Sequence, residues 1–257
     1  MIIDCHSHIY ESSTPKGSKK SGHFGTTASE FTAEDMIKTM DENNVDMTVA
    51  NMLRPLLSEK DFMERNGYVA DAAKKYPDRI IGLVRINPWM DHSVSLLEKA
   101  IKEMGLKGMK FHPNMEAFQV SDAIIHPLME KASELNIPVQ IHTGQWGCQP
   151  ALVGELADTF PDVPIILAHF GGMYYKDAIF MASKFNNIYL ETSAFGWTHR
   201  VVRGAIDKIG ADRIIWGTDV PLHHIEVEML KIKMAKLTEK ELELALGLNA
   251  AKLFKIK

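Results

Sequence analysis

The chain has 257 residues, of which 46% are hydrophobic and 24% are charged, with a net charge of −4. This is the composition of an ordinary globular protein, and α/β barrels commonly reach this length as one domain. The balance of charge excludes the basic field that attracts nucleic acids or anionic membranes, and two cysteines exclude a disulfide framework. No apolar run reaches the length of a membrane helix, so we expect a cytoplasmic protein.

Short apolar segments alternate with helix-length amphipathic segments along the chain. The predicted strands are IIDCHSH (2–8), VDMTVAN (45–51), RIIGLVRIN (79–87), LKGMKFH (106–112), IPVQIH (137–142), VPIILAH (163–169), NIYLETS (187–193) and DRIIWGTD (212–219). A predicted helix follows each of these strands, and the chain closes with the helical segment LALGLNAAKLF. Thr32 and Ser121 are expected to open two of the helices, because hydroxyl side chains cap the first helical turn.

This alternation of eight strand–helix units predicts a (β/α)8 TIM barrel, formed as a single domain over residues 1–257. Runs such as IIGLV and RIIW are apolar and β-branched, which is typical of parallel strands covered on both faces. A doubly wound dinucleotide fold is the weaker alternative, because no GxGxxG motif follows the first strand. The polar stretch at 11–25 is interpreted as a surface loop.

Polar side chains stand at the ends of most predicted strands, where barrels of this kind carry their chemistry. Because side chains two residues apart in a strand share a face, His6 and His8 point the same way and Ser7 points away. Histidine nitrogens and carboxylate oxygens are good ligands for zinc and related ions. The strand-end residues that would converge at one mouth are His6, His8, Lys110, His112, His142, His169 and Asp219.

Each of these residues also has a simpler interpretation. A lone His-x-His pair, or a single histidine at a strand end, is more often a buried structural residue than a ligand. Asp219 could cap the following helix, and Asp4 is interpreted as a buried hydrogen-bonding group. The metal site is favoured because the groups fall at equivalent ends of strands one, five, six and eight.

The set of motifs resembles the amidohydrolase superfamily, and within it the amidohydrolase-2 branch of metal-dependent hydrolases and decarboxylases. The matching pieces are IDCHSH, GMKFHP, IHTG, LAHFGG, IWGTDVP and LGLNAAKLF, in family order from one end of the chain to the other. The resemblance implies a TIM barrel that uses a divalent metal, with zinc expected and manganese as the alternative. It also implies a homodimer or a larger oligomer.

The resemblance further implies a role for each strand-end residue. His6, His8, His142 and Asp219 would bind the metal, and Asp219 would also move a proton. His169 would sit beside the metal and polarise the substrate or hold the water. In two-metal branches the strand-four lysine, here near Lys110, is carboxylated and bridges the metals. The KFHP motif resembles single-metal members, so one metal is expected.

Two enzymatic functions fit this site. The favoured one is hydrolysis of a small amide, lactone or ester by a metal-activated water. The alternative is non-oxidative decarboxylation of a small aromatic or muconate-type acid, with Asp219 or His169 protonating carbon. A third, non-enzymatic hypothesis is a barrel that keeps its metal for stability or binds a ligand without turnover.

Contacts to the substrate are less sharply indicated. Lys110 and His112 lie near the predicted mouth and could contact the substrate. Lys110 could instead form an ion pair there, and His112 could instead contact the metal ligands. Arg54 and Arg85 follow or end strands and could bind a carboxylate, or could form ordinary salt bridges. Trp146 and Trp197 could wall a pocket for a planar molecule, or could only pack the loops. Cys148 is near the mouth but has no context for a nucleophile.

Overall fold

The computed structural model describes residues 1–11, 30–194 and 199–256. Within these ranges the strands are β1 Ile3–His8, β2 Met47–Asn51, β3 Ile80–Gly82, β4 Val84–Arg85, β5 Met109–Phe111, β6 Val139–His142, β7 Ile165–Ala168, β8 Ile188–Glu191 and β9 Ile214–Ile215. All pairings between neighbouring strands are parallel, in the order β1-β2-β3 and β4-β5-β6-β7-β8-β9. The predicted loop at 11–25 falls almost wholly outside the described residues.

The two sheets are parts of one ring. β3 and β4 are halves of the predicted third strand, because the Leu83 amide donates to the Ala50 carbonyl at 2.9 Å and the Val84 amide donates to the Gly108 carbonyl at 2.9 Å. The third strand therefore bonds the second with its first half and the fourth with its second half.

The other end of the ring is joined by the segment that follows β9. The Cys5 amide donates to the Trp216 carbonyl at 3.0 Å, and the His8 amide donates to the Val220 carbonyl at 2.8 Å. A parallel bridge between Ser7 and Val220 lies at the same place. The described strands thus close into the predicted (β/α)8 barrel, and the predicted eighth strand continues beyond β9 as this bridge to β1.

Helices cover the outside of the ring. The described helices are α1 Ala33–Glu42, α2 Glu59–Lys75, α3 Ser93–Lys102, α4 Pro113–Glu116, α5 His126–Glu134, α6 Pro150–Thr159, α7 Tyr175–Lys184, α8 His199–Ile209, α9 Ile225–Met234, α10 Glu239–Glu243 and α11 Asn249–Phe254. Apolar side chains from strands and helices form the main core between the two layers. None of the helices described is long and apolar enough to cross a membrane.

The first residues of α1 and α5 test the two predicted helix caps. Thr32 caps α1 as predicted, and Asp35 completes a capping box by accepting from the Thr32 amide. Ser121 does not open a helix, because a 3₁₀ turn at Ala123–Ile125 precedes α5. Pro127 lies in the first turn of α5, the position where its missing N–H costs no helical hydrogen bond.

Candidate metal centre

The strand ends surround a cavity of about 320 Å³ at the mouth of the barrel. It is lined by His6, His8, Leu53, Lys110, His112, Asn114, Met115, His142, Gln145, His169, Asp219, Leu222 and His223. All seven strand-end residues named from the sequence are in this set. The barrel register therefore brings together side chains that are as far apart in the chain as His6 and Asp219.

Three of these side chains form a group of ligand atoms close enough to hold one metal ion. Ligand atoms of His6, His169 and Asp219 all lie within 4.8 Å of one another, and all three residues are buried. The His6 Nε2 atom is 3.6 Å from Asp219 Oδ1, and His8 Nε2 is 2.9 Å from the same oxygen. The predicted ligands His6, His8 and Asp219 thus meet, and His169 stands with them.

The backbone at two of these positions adopts a conformation that is rare for residues with a side chain. His169 has φ of 64° and Asp219 has φ of 62°, both in the left-handed region. The Asp219 amide is held there by donating to the His6 carbonyl at 2.7 Å. Such conformations cost free energy and cluster at functional sites, where the surrounding structure enforces them.

His142 completes the group from the end of β6. Its Nδ1 atom is 3.0 Å from His169 Nε2, and its ring stacks on that of His112 with centroids 3.9 Å apart. Its Nε2 atom is buried and makes no hydrogen bond of normal geometry, and the nearby Gln145 side chain acts to raise the His142 pKa. His142 therefore keeps a buried Nε2 atom without a hydrogen-bond partner among the described residues.

Burial keeps the imidazoles of this group uncharged. It lowers the pKa of His142 to about 3, and it lowers the pKa values of His6 and His169 well below the ordinary value. The neighbouring cation Lys110 lowers all three further. Because a metal binds the neutral imidazole, these histidines are in the form that ligation needs.

The donor set fits a divalent cation. Neutral imidazoles and one carboxylate are the ligands that zinc and manganese accept. The buried His142 Nε2 and His8 Nδ1 atoms, which have no hydrogen-bond partner in the described chain, are the kind of polar atom that a bound group would explain. His6, His8, His142 and Asp219 would hold the ion, with His169 in contact or directly beside it.

Lys110 is buried beside the proposed ligands. Its Nζ atom is 3.1 Å from His6 Nε2 and 3.0 Å from Gln140 Oε1. Burial lowers the pKa of Lys110 to about 7, while the charges of Asp219 and Glu191 act in the opposite direction. The amine is therefore poised to gain or lose its proton near neutrality. Carboxylation of Lys110 would accompany a second metal, and the prediction of one metal therefore expects an unmodified lysine.

No role was predicted for Glu191 and Ser193, which stand at the end of the predicted strand NIYLETS. Glu191 is fully buried, and its Oε2 atom is 2.9 Å from His6 Nδ1. Burial raises the pKa of Glu191 to about 8, against hydrogen bonds from Ser193 and His169 that lower it. A charged residue at the end of the apolar run IYL was the available signal.

Two further expectations about buried residues can be compared with the structure. Asp4 is buried and accepts from the Thr218 amide at 2.9 Å and the His6 amide at 3.1 Å, as the hydrogen-bonding interpretation predicted. Asp219 does not cap α9, because that helix begins after His224 and has no side-chain cap. The Ser7 hydroxyl bonds Thr48 Oγ1 at 2.6 Å, which agrees with its pointing away from the site.

The remaining substrate-contact candidates lie elsewhere. Arg54 lines a separate cavity of about 280 Å³ beside Tyr10 and Tyr68. Arg85 is fully buried and forms an ion pair with Glu116 at 2.7 Å, so it is not a free carboxylate-binding group. The structure places the Trp146 side chain 69% exposed, outside the cavity lining. Trp197 lies outside the described residues.

A larger groove, of about 820 Å³, lies at the opposite end of the barrel. Its walls include the strand starts at Met47 and Ile80 and the end of α11 at Phe254. None of the strand-end histidines reaches it, so volume alone does not locate the chemistry. The smaller cavity is the candidate site because it holds the convergent polar groups.

Comparison with known proteins gives the family. The family model Amidohydro_2, described as amidohydrolase, matches residues 3–256. A 2-keto-4-carboxy-3-hexenedioate hydratase from Sphingobium sp. is 23% identical over 67% of this chain, and this chain spans 66% of that protein, just under two thirds. A gamma-resorcylate decarboxylase from Polaromonas sp. is 24% identical over 86% of each chain.

Solved structures give the same fold. The 5-carboxyvanillate decarboxylase from Sphingomonas paucimobilis matches with a TM-score of 0.76 and 17% identity, covering 100% of this chain and 99% of that one. A dihydroxybenzoic acid decarboxylase from Polaromonas sp., solved with bound manganese and the inhibitor 2-nitroresorcinol, matches with a TM-score of 0.77 and 19% identity, covering 99% and 96%. At these identities the likeness shows the barrel fold.

Proposed function

This chain belongs to the amidohydrolase family Amidohydro_2, and on that premise we propose that it is a metal-dependent lyase that decarboxylates a small aromatic carboxylic acid. The relatives named above are decarboxylases and a hydratase. They support the decarboxylase alternative better than the hydrolase that the sequence favoured. The site itself serves either chemistry, because hydrolysis and decarboxylation can share the same metal ligands.

The observation that carries the proposal is the position of Lys110 and the His8–Asp219 pair on one small cavity. Lys110 offers a positive group to a carboxylate substrate, and a bound carboxylate would favour its charged form. Asp219, whose Oδ1 atom is 2.9 Å from His8 Nε2, places a carboxyl group that can move a proton at the same wall. The volume of about 320 Å³ suits a substrate of one ring.

In the proposed reaction, protonated Asp219 delivers its proton to the ring carbon that bears the carboxylate. A C–H bond forms, the bond from that carbon to the carboxylate breaks, its electron pair returns to the ring, and carbon dioxide leaves. Solvent then returns a proton to Asp219. When bound, the divalent ion supplies Lewis-acid polarisation of substrate oxygens. Manganese is the first ion to test, since a decarboxylase relative holds it, and zinc is the second.

Hydration of a conjugated carboxylic acid is the second candidate, and the hydratase relative favours it. The same Asp219 would protonate carbon while water adds to the neighbouring carbon. The two reactions are separated by their products, because a hydratase adds one water and releases no carbon dioxide.

The test is a substrate panel with the manganese-loaded protein. The panel contains hydroxybenzoic acids, muconate-type acids, and small amides, lactones and esters, with carbon dioxide release and product mass as readouts. We expect carbon dioxide from at least one aromatic acid and none from metal-free protein. Turnover only of amides, lactones or esters would restore the hydrolase and overturn the proposal.

The homodimer and the cytoplasmic location stay predictions, to be checked by light scattering and cell fractionation.

A further inference from the structure

Ser193, two residues after the end of β8, contacts two histidines of the candidate metal centre. Its Oγ atom is 3.2 Å from His6 Nδ1 and 3.1 Å from His169 Nδ1. The same atom donates to Glu191 Oε2 at 2.8 Å. Glu191 Oε2 also lies 2.9 Å from His6 Nδ1. The hydroxyl therefore contacts the Nδ1 atoms of both rings, and the carboxylate contacts the Nδ1 atom of His6.

The donors around Glu191 and Ser193 determine where the protons are. Glu191 accepts from two backbone amides, the His169 N–H at Oε2 and the Ser193 N–H at Oε1. With Glu191 as an ionised acceptor, Ser193 gives its one hydroxyl proton to Glu191, and the Ser193 lone pairs can only accept. In that arrangement they accept from the Nδ1 atoms of His6 and His169, so that both rings carry their proton on Nδ1 and present a lone pair on Nε2.

Two neighbouring contacts agree with this assignment. The Lys110 amine, which has N–H groups to donate, lies 3.1 Å from His6 Nε2, where the assignment places a lone pair. His169 Nε2 then accepts from His142 Nδ1 at 3.0 Å. His142 is thereby also an Nδ1–H tautomer, and its unpartnered Nε2 atom carries a lone pair.

We propose that Glu191 and Ser193 are positioning residues that fix the ring orientation and tautomer of His6 and His169, and through His169 those of His142. Groups that accept from the far nitrogen of a ligating histidine set its tautomer and raise its basicity. The consequence for metal affinity rests on the metal centre proposed above, whereas the tautomer assignment applies to the metal-free protein.

The tautomers are tested by NMR of the metal-free protein with ¹⁵N-labelled histidine. In the wild type, His6 and His169 should be neutral with the proton on Nδ1. Glu191→Gln, which puts an amide in place of the acceptor carboxylate, should change the His6 tautomer. Ser193→Ala, which removes only the hydroxyl, should change or mix the His169 tautomer and serves if the Glu191 variant fails to fold. Unchanged tautomers in the folded variants would overturn the proposal.

Metal affinity gives the second readout, by manganese titration in competition with a chelator. Glu191→Gln and Ser193→Ala should each bind manganese about 10- to 100-fold more weakly than the wild type. Two matched controls should bind it as the wild type does. Ser7→Ala removes a buried hydroxyl that bonds Thr48 instead, and Glu116→Gln alters a buried carboxylate that pairs with Arg85.

The two readouts separate failure of the metal centre from failure of this inference. If the wild type binds no manganese or zinc, the proposed function fails while the NMR result still decides the roles of Glu191 and Ser193. If the wild type binds the metal and both variants bind it equally well, the positioning role is wrong. Equal losses in the Ser7 and Glu116 controls would likewise overturn it, since they would show a general effect of mutating buried polar groups.

Discussion

Asp219 combines a strained backbone with contacts to both histidines of the first strand. Asp219→Asn should lower turnover about 10²- to 10⁴-fold, because the amide cannot donate or accept the proton that the reaction moves. Most of the metal should stay bound, since the imidazole ligands are intact. Steady-state turnover and metal content of the same preparation measure both effects.

Asp91→Asn is the matched control, because Asp91 is an exposed carboxylate in a loop that follows a strand end of the same barrel. It should leave turnover and metal content unchanged. Full activity in Asp219→Asn would remove Asp219 from the proton transfer.

Single residues also show how far the sequence could be interpreted. The period of two along a strand placed His6 and His8 on one face, and the alternation of strands and helices placed His142, His169 and Asp219 at the same mouth. Contacts between distant strands could not be predicted. The partner of His6, for example, is Glu191, which lies 185 residues further along the chain. Arg85 is a similar case, since Glu116 reaches it from the short helix α4.

At the scale of elements, the loops after β6 and β7 touch through two glycines. A Cβ atom added at Gly144 would lie 2.3 Å from Gly172 Cα, and Gly144 has φ of +99°. Gly144→Ala should destabilise the fold by about 1 to 3 kcal/mol through backbone strain. It should also weaken metal binding, because it separates the segments that carry His142 and His169. Chemical denaturation and metal titration measure the two effects.

Gly204→Ala is the control for this substitution. Gly204 lies within α8, and a Cβ atom there would meet nothing within 4 Å. Alanine should stabilise the helix by roughly 0.5 to 1 kcal/mol. If Gly144→Ala behaved like Gly204→Ala, the close approach of the two loops would have no energetic role.

The helix α9 holds the segment that follows β8. Lys231 donates to the Thr192 and Ala194 carbonyls at 3.3 Å and pairs with Glu228. Burial raises the pKa of Glu228 from 4.5 to about 7, although Lys231 lowers it. Between these pH values the folded state binds more protons at this site than the unfolded state, so stability falls as the pH rises from 4.5 through about 7.

Glu228→Gln should therefore flatten the loss of stability between pH 4.5 and about 7. Urea unfolding at several pH values measures this slope. Glu226→Gln, an exposed position on the same helix, should keep the wild-type slope. The same slope in wild type and Glu228→Gln would mean that the buried carboxylate does not contribute to it.

The order and type of the helices and strands were predicted more accurately than the residues at which they begin and end. The order of strands and helices follows from hydrophobic periodicity, which is a local property. The split of the third strand into β3 and β4 depends on hydrogen bonds to two different neighbours, Ala50 and Gly108, and no local pattern records it. The start of α5 was missed because Pro127 outweighs the capping hydroxyl of Ser121.

At the scale of the whole molecule, the closed ring of strands holds the proposed metal ligands together at one end of the barrel. Metal binding should therefore raise the free energy of unfolding of the whole chain. A metal that binds the folded chain but not the unfolded chain stabilises the fold by about 2.7 kcal/mol when its concentration is 100 times its Kd. For a chain of this size, removing the metal with a chelator should lower Tm by roughly 5 to 10 °C. Calorimetry with and without the chelator measures the difference, and an identical Tm would argue against a metal tied to the fold.

Metal content per chain is the most direct test of the metal centre on which the proposed function depends. Elemental analysis of the purified protein, after loading with manganese or zinc and removal of excess ion, should give one divalent ion per chain. The double variant His6→Ala/His8→Ala should bind none while remaining folded. A wild type without stoichiometric metal, or a double variant that retains the ion, would contradict the assignment.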